Sequence, residues 1–175
     1  MSGASGEMLD PRELLDLATE LATSSGSAVQ NPARRCRAVS TAYYALFHAL
    51  LRRAADEFVG RRHHGEASYT LLYRGFAHAR MKQVCEELDK PSLRPVYRDK
   101  LKRATVSPAV RYLATTFVEL QEARHRADYD PDAATSDADA ARACLLADFG
   151  MKSLAQADPA EIRDILALML MDQRR

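Results

Sequence analysis

Apolar residues recur along most of this chain at intervals of three and four, in runs that open on Asp, Asn or Ser followed closely by Pro or an acid. That spacing is helical, because 3.6 residues complete a turn and positions i, i+3, i+4 and i+7 share one face. Asp10-Pro11 with Glu13 reads as an N-cap, a proline at the first helical position and a capping box. Behind it Leu14, Leu17, Ala18 and Leu21 predict a helix to about Ser24, and SSGSAVQ (24–30) predicts a linker. Asn31-Pro32 opens a second helix to about Val59, with Val39, Tyr43, Leu46, Phe47, Leu50, Ala54 and Phe58 on one stripe. GRRHHG (60–65) breaks it. A third helix is predicted from about Glu66 to Leu88, weakened near Gly75, and a short basic one from Val96 to Ala104. Ser107-Pro108 starts a fourth long helix whose inner stripe is Val110, Leu113, Ala114, Phe117 and Leu120. Ser136 with Asp139 starts a fifth, and Asp158-Pro159 with Glu161 a sixth, running to about residue 173. The pattern predicts an all-α protein, an antiparallel up-and-down bundle of five to six helices in one domain over residues 1–175.

Composition strengthens the helical reading. Ala and Leu dominate while Ile occurs only at 162 and 165, which disfavours sheets. With 175 residues, 47% of them hydrophobic, a sizeable core is available and global disorder is excluded. The opening MSGASGEMLDPREL has no basic segment and no apolar one, and the longest apolar run, Ile165 to Met171, is too short to span a bilayer. A cytoplasmic protein without membrane or secretory signals is expected. Cys36, Cys85 and Cys144 are widely spaced and form no CxxC, so they read as reduced thiols.

Charge changes the picture more. The net charge is only +1, yet residues 31–126 hold 19 Lys/Arg against 9 Asp/Glu, and the flanks hold 6 against 15. A basic middle between acidic ends predicts either a surface for polyanions or solvated helix faces, depending on how the helices interleave.

The densest chemistry lies in EARHRADYDP (122–131). Seven residues beyond Phe117, Arg124 continues the apolar stripe of the fourth helix, with Asp128 one turn further on the same face. His125 and Tyr129 form a second i,i+4 pair, and Asp130 before Pro131 predicts a helix end near Tyr129. A charge on the buried side is costly unless it is paired or serves a purpose. Two readings stand: an Arg124–Asp128 ion pair closing the helix end, or an anion pocket open on one side. On the second helix Arg37, Ser40, Thr41, Tyr44 and His48 line a face beside the core stripe and could form the other wall of a cleft. In the broken segment, Arg61, Arg62, His63 and His64 are candidate phosphate contacts. The adjacent histidines are a poor metal pair, and neither metal nor cofactor is expected.

The stretches RRCRAVSTAYYALFHAL (34–50) and EARHRADYDP together resemble the two signature helices of HEPN domains, the higher-eukaryote and prokaryote nucleotide-binding family. The likeness is to its small stand-alone prokaryotic members, through Ala38, Ala42, Tyr43, Tyr44, Ala45, Phe47, His48 and Ala49 and then R-x-x-A-D-Y-D-P from Arg124; it covers about residues 10–157. The resemblance implies a helical bundle that dimerises across the signature helices and acts on RNA or nucleotides. It implies in many relatives a metal-independent endoribonuclease of toxin or antiphage type, with a cognate antitoxin or a nucleotidyltransferase-like protein as partner. Catalytic members place His four to six residues after the arginine, whereas here Tyr129, Asp130 and Pro131 follow Arg124. The implied catalytic set is therefore Arg124 with His125 or Tyr129, and the alternatives are a catalytically silent RNA or nucleotide binder and a helical interaction subunit.

Overall fold

The structure is a computed structural model that describes residues 9–23, 31–130, 132 and 134–171. The expected linker at 24–30, the opening residues 1–8, Pro131 and residues 172–175 lie outside them. The described residues form eight α-helices and no strand: α1 Pro11–Thr23, α2 Pro32–Phe58, α3 Ala67–Arg74, α4 His78–Leu88, α5 Pro95–Leu101, α6 Pro108–Tyr129, α7 Asp137–Gln156 and α8 Pro159–Leu170. A single 3-10 turn, Arg61–His63, joins α2 to α3.

Local chemistry sets most of these boundaries. Asn31 accepts a hydrogen bond from the Ala33 N–H, Ser107 from Val110, and Asp158 from Glu161, each satisfying an amide that the first helical turn leaves free. Ser136 and Asp139 form a reciprocal capping box. The single third helix expected over 66–88 is two helices, which raises the number above the five to six expected. Gly75 ends α3, Phe76 is drawn into the core, and Ala77 is extended at φ −100° and ψ 127° before α4 begins. Burying one phenyl ring there outweighs three residues of continued helix. The basic helix α5 stops at Leu101, earlier than expected, because Lys102 takes a left-handed conformation at φ 54°.

One apolar cluster runs from Leu15 on α1 to Met169 on α8. The central element is α2, which packs against α1, α3, α6, α7 and α8. Its stripe from Val39 to Ala54 is buried, but Phe58 is 37% exposed, since α2 ends there and the chain turns away through Gly60. On α1 the buried positions are Pro11, Leu15 and Ala18, while Leu17, about 100° around the helix from Ala18, is 47% exposed. Gly150 on α7 lets three helices close up: a Cβ there would lie 3.0 Å from both Leu46 Cδ2 on α2 and Thr116 Cγ2 on α6.

Two buried carboxylates tie loops to this core. Glu87, 0% exposed, accepts from the Arg94 N–H and guanidinium at 2.6 Å each and from Lys90 at 2.7 Å. Glu161 accepts from the Ser107 N–H at 2.9 Å and lies 3.1 Å from Arg103. Acids from the flanks also meet arginines of the basic middle, as in Arg35–Asp137, Arg52–Asp10 and Arg103–Asp164. Among the described residues no helix is long and apolar enough to cross a membrane.

Candidate functional site

Spacing on two helices builds the site. Ser40, Tyr44 and His48 stand four residues apart on α2 and therefore share a face. Arg124 and Asp128 do the same at the end of α6, and the two faces meet. The Ser40 hydroxyl donates to Asp128 Oδ1 at 2.5 Å, and Asp128 Oδ2 lies 2.8 Å from Arg124 Nε. That ion pair is close but poorly aligned, since Nε makes no hydrogen bond of good geometry. Arg124 Nη2 donates to the Tyr44 hydroxyl at 3.1 Å and, at the limit of reach, to Tyr129 at 3.5 Å. The guanidinium carbon sits 5.6 Å from the Tyr44 ring centre and 5.2 Å from that of Tyr129, within cation–π range of both. Among the described residues nothing accepts from Nη1. Of the two readings, the Arg124–Asp128 ion pair is the one the geometry shows, with Tyr44 and Tyr129 against the same guanidinium.

A histidine from a third helix joins this group. The His78 ring, on the first residue of α4, stacks on Phe47 at 3.9 Å between centres and meets Tyr44 edge-on at 6.2 Å. Its Nδ1 lies 2.5 Å from the buried Tyr43 hydroxyl, and Gln121, one turn before Arg124, reaches its carbonyl at 3.4 Å. No family model, no curated protein and no solved structure matches the chain. The site must therefore be read from its own chemistry.

Burial lowers the pKa of His78, and the nearby Arg124 charge lowers it further. Burial, then His78, likewise lowers the pKa of His48, whose Nδ1 is 2.7 Å from the Tyr73 hydroxyl. Desolvation pushes the Tyr43 phenol far above its ordinary value despite Arg124. Two neutral imidazoles and a permanently protonated phenol therefore surround one cation at neutral pH.

The remaining sequence candidates fall elsewhere. His125 is exposed and touches Tyr129, ring centres 5.1 Å apart, with no hydrogen bond or ion pair to Arg124. Arg37 is exposed near the start of α2. The Arg61–His64 segment lies beyond the far end of α2, about 21 Å along the axis from Tyr44 at 1.5 Å per residue. There Arg61 and His64 pair with Asp56 at 3.1 and 2.9 Å, His63 with Glu66 at 2.6 Å, and Arg62 with His63 at 2.8 Å. The two histidines face different carboxylates, and no group of three or more potential metal ligands occurs among the described residues. Rings nevertheless link the two regions: Tyr44, His48, Tyr73, Tyr69 and His64 follow one another at centre distances of 6.2, 5.8, 6.4 and 4.5 Å.

A cleft of about 440 Å³ between α6 and α7 includes neither Arg124 nor His78. It is lined by Arg126 and Arg142 but also by Glu119, Glu122, Asp130 and Asp139, an excess of acids that would repel an anion.

Proposed function

We propose that this protein is an RNA-directed member of the HEPN type that grips a backbone phosphate with Arg124. The observation that carries the proposal is the guanidinium held between Tyr44, Tyr129 and Asp128, with no acceptor for Nη1 among the described residues. A planar cation held between aromatic faces is suited to phosphate. The fold expected from the resemblance is supported by the directions of contact. Asp10 reaches Arg52 while Leu21 reaches Arg34; Ser40 reaches Asp128 while Tyr43 packs on Phe117; Arg142 reaches Glu119 while Gly150 meets Thr116. These pairs support an up-and-down order in which α1, α2, α6 and α7 run successively antiparallel.

The activity proposed is strand cleavage without a metal. The 2′-oxygen attacks the adjacent phosphorus, its P–O bond forms as the bond to the 5′-oxygen breaks, and the 5′-oxygen leaves with a proton. Arg124 stabilises the charge that develops on the phosphoryl oxygens, His125 accepts the 2′-hydroxyl proton, and the Tyr129 phenol supplies one to the leaving oxygen. Two copies would bring their Arg124 sites to a shared cleft, and a cognate antitoxin or a nucleotidyltransferase-like protein would cover it.

A second reading, a catalytically silent binder of RNA or nucleotide, is favoured by one observation. Tyr129, which stands where family members begin to carry the catalytic histidine, is 63% exposed and is a weak proton carrier at neutral pH. Incubating purified protein with RNA in EDTA separates the two. Cleavage lost by at least tenfold in both Arg124→Ala and His125→Ala, at unchanged melting temperature, supports the nuclease. Intact RNA with wild type and with Tyr129→His leaves the binder.

A further inference from the structure

The arginine is not the only group presented at this site. We propose that His78 is a second, uncharged phosphate ligand, donating its Nε2–H to the same RNA phosphate that Arg124 grips. This rests on the phosphate-binding reading of Arg124 and adds to it a residue that lies in neither signature helix.

The hydrogen-bond network assigns the tautomer. Tyr43 is fully buried, and its hydroxyl has one partner among the described residues, His78 Nδ1 at 2.5 Å. If Nδ1 carried the proton, the Tyr43 hydroxyl hydrogen would be buried without an acceptor, which is unfavourable. Tyr43 therefore donates, Nδ1 accepts, and the ring's single proton sits on Nε2. Nε2 has no partner among the described residues. Stacking on Phe47 at 3.9 Å and the contact of Gln121 with the His78 carbonyl hold ring and backbone in place.

His78 and Arg124 both flank Tyr44, the imidazole edge-on at 6.2 Å and the guanidinium carbon at 5.6 Å from its ring centre. Arg124 on α6 is the charge that acts on His78, and among the described residues no carboxylate pairs with the imidazole, so a second cation there would be repelled by the first. A neutral donor avoids that repulsion and still hydrogen-bonds an anion. His78 does not shuttle protons: losing its Nε2 proton would require Tyr43 to pass one to Nδ1, and burial holds that phenol protonated. It is a stationary donor, and proton transfer stays with other groups.

The test uses the full chain and a fluorescent, 2′-O-methylated RNA oligonucleotide, which cannot be cleaved, with affinity read by anisotropy. His78→Ala should weaken binding roughly tenfold, the range for a hydrogen bond to a charged group. His78→Gln, whose side-chain amide N–H can stand in for Nε2–H, should stay within about threefold of wild type. Nitrogen-15 spectra of the neutral imidazoles should give His78 as the Nε2–H tautomer. Equal weakening in both variants, or an Nδ1–H tautomer, overturns the inference, and melting curves run beside them separate lost contact from lost fold. Binding unchanged in His78→Ala but weakened in Arg124→Ala removes His78 alone. Binding unchanged in Arg124→Ala removes the phosphate-binding reading itself.

Discussion

At the scale of single residues, the site is a set of groups whose protonation is fixed by what surrounds them. His48 and His78 have pKa values lowered chiefly by burial. The unfolded chain, with imidazoles near 6.5, therefore takes up protons on acidification that the folded chain refuses. Stability from these two groups is complete above about pH 6.5 and falls as the pH drops toward their folded values. The melting temperature should decline by a few degrees between pH 7.5 and 5.5. His48→Gln should melt lower at pH 7.5, having lost the Tyr73 contact, but decline less on acidification; a pH-independent melting temperature in wild type would contradict this. Part of the residue chemistry was legible in the chain. The four-residue spacing of Arg124 and Asp128, and of His125 and Tyr129, predicts contacts that form at 2.8 Å and at a ring distance of 5.1 Å. The Ser40–Asp128 bond, spanning 88 residues of sequence, and the arrival of His78 were not legible, because neither leaves a periodic trace. A lone histidine beside a broken helix has no spacing partner to announce it.

At the scale of elements, the helix starts were the most legible feature, since capping is local chemistry between residues two or three apart. Asn31, Ser107, Ser136 and Asp158 all cap the helices they were expected to open. The interior was less legible where tertiary packing overrode periodicity, at Phe76 between α3 and α4, and at Leu17 and Phe58, which occupy apolar positions of the pattern yet are 47% and 37% exposed. One element contact sensitive to substitution is at Gly150. A methyl there would press on Leu46 and Thr116 at 3.0 Å each, so Gly150→Ala trades a helix-propensity gain for overpacking of α2, α6 and α7. The expected cost is about 1–3 kcal/mol, or roughly 2–12 °C in melting temperature for a chain of this size. A variant as stable as wild type by thermal and urea denaturation would mean that these three helices have room to part. Because α2 and α6 carry Tyr44 and Arg124, a loosened contact should also weaken the proposed RNA binding.

At the scale of the whole molecule, charge is less segregated than the sequence order implies. Asp10, Asp137 and Asp164 of the acidic flanks pair with arginines of the basic middle, and Arg37, Arg61, Arg62 and Arg124 lie at separate places along α2 and its neighbours. A proposed dimer would gather such sites from two copies around the exposed Tyr129. Sedimentation at micromolar concentration should give a species of twice the chain mass of 19.5 kDa, and Tyr129→Asp, which adds like charge beside Asp128 and Asp130, should shift it toward monomer. A wild-type monomer at that concentration would remove the shared cleft while leaving the single-chain site. The most direct measurement is the salt dependence of single-stranded RNA affinity in wild type and Arg124→Ala. Each phosphate contact contributes about 0.7 to the slope of log affinity against log salt. Arg124→Ala should lower that slope by about this amount and weaken binding at every salt concentration, with melting temperature recorded alongside. An Arg124→Ala protein that is folded and binds with the wild-type slope and affinity would contradict the assignment of this site to phosphate.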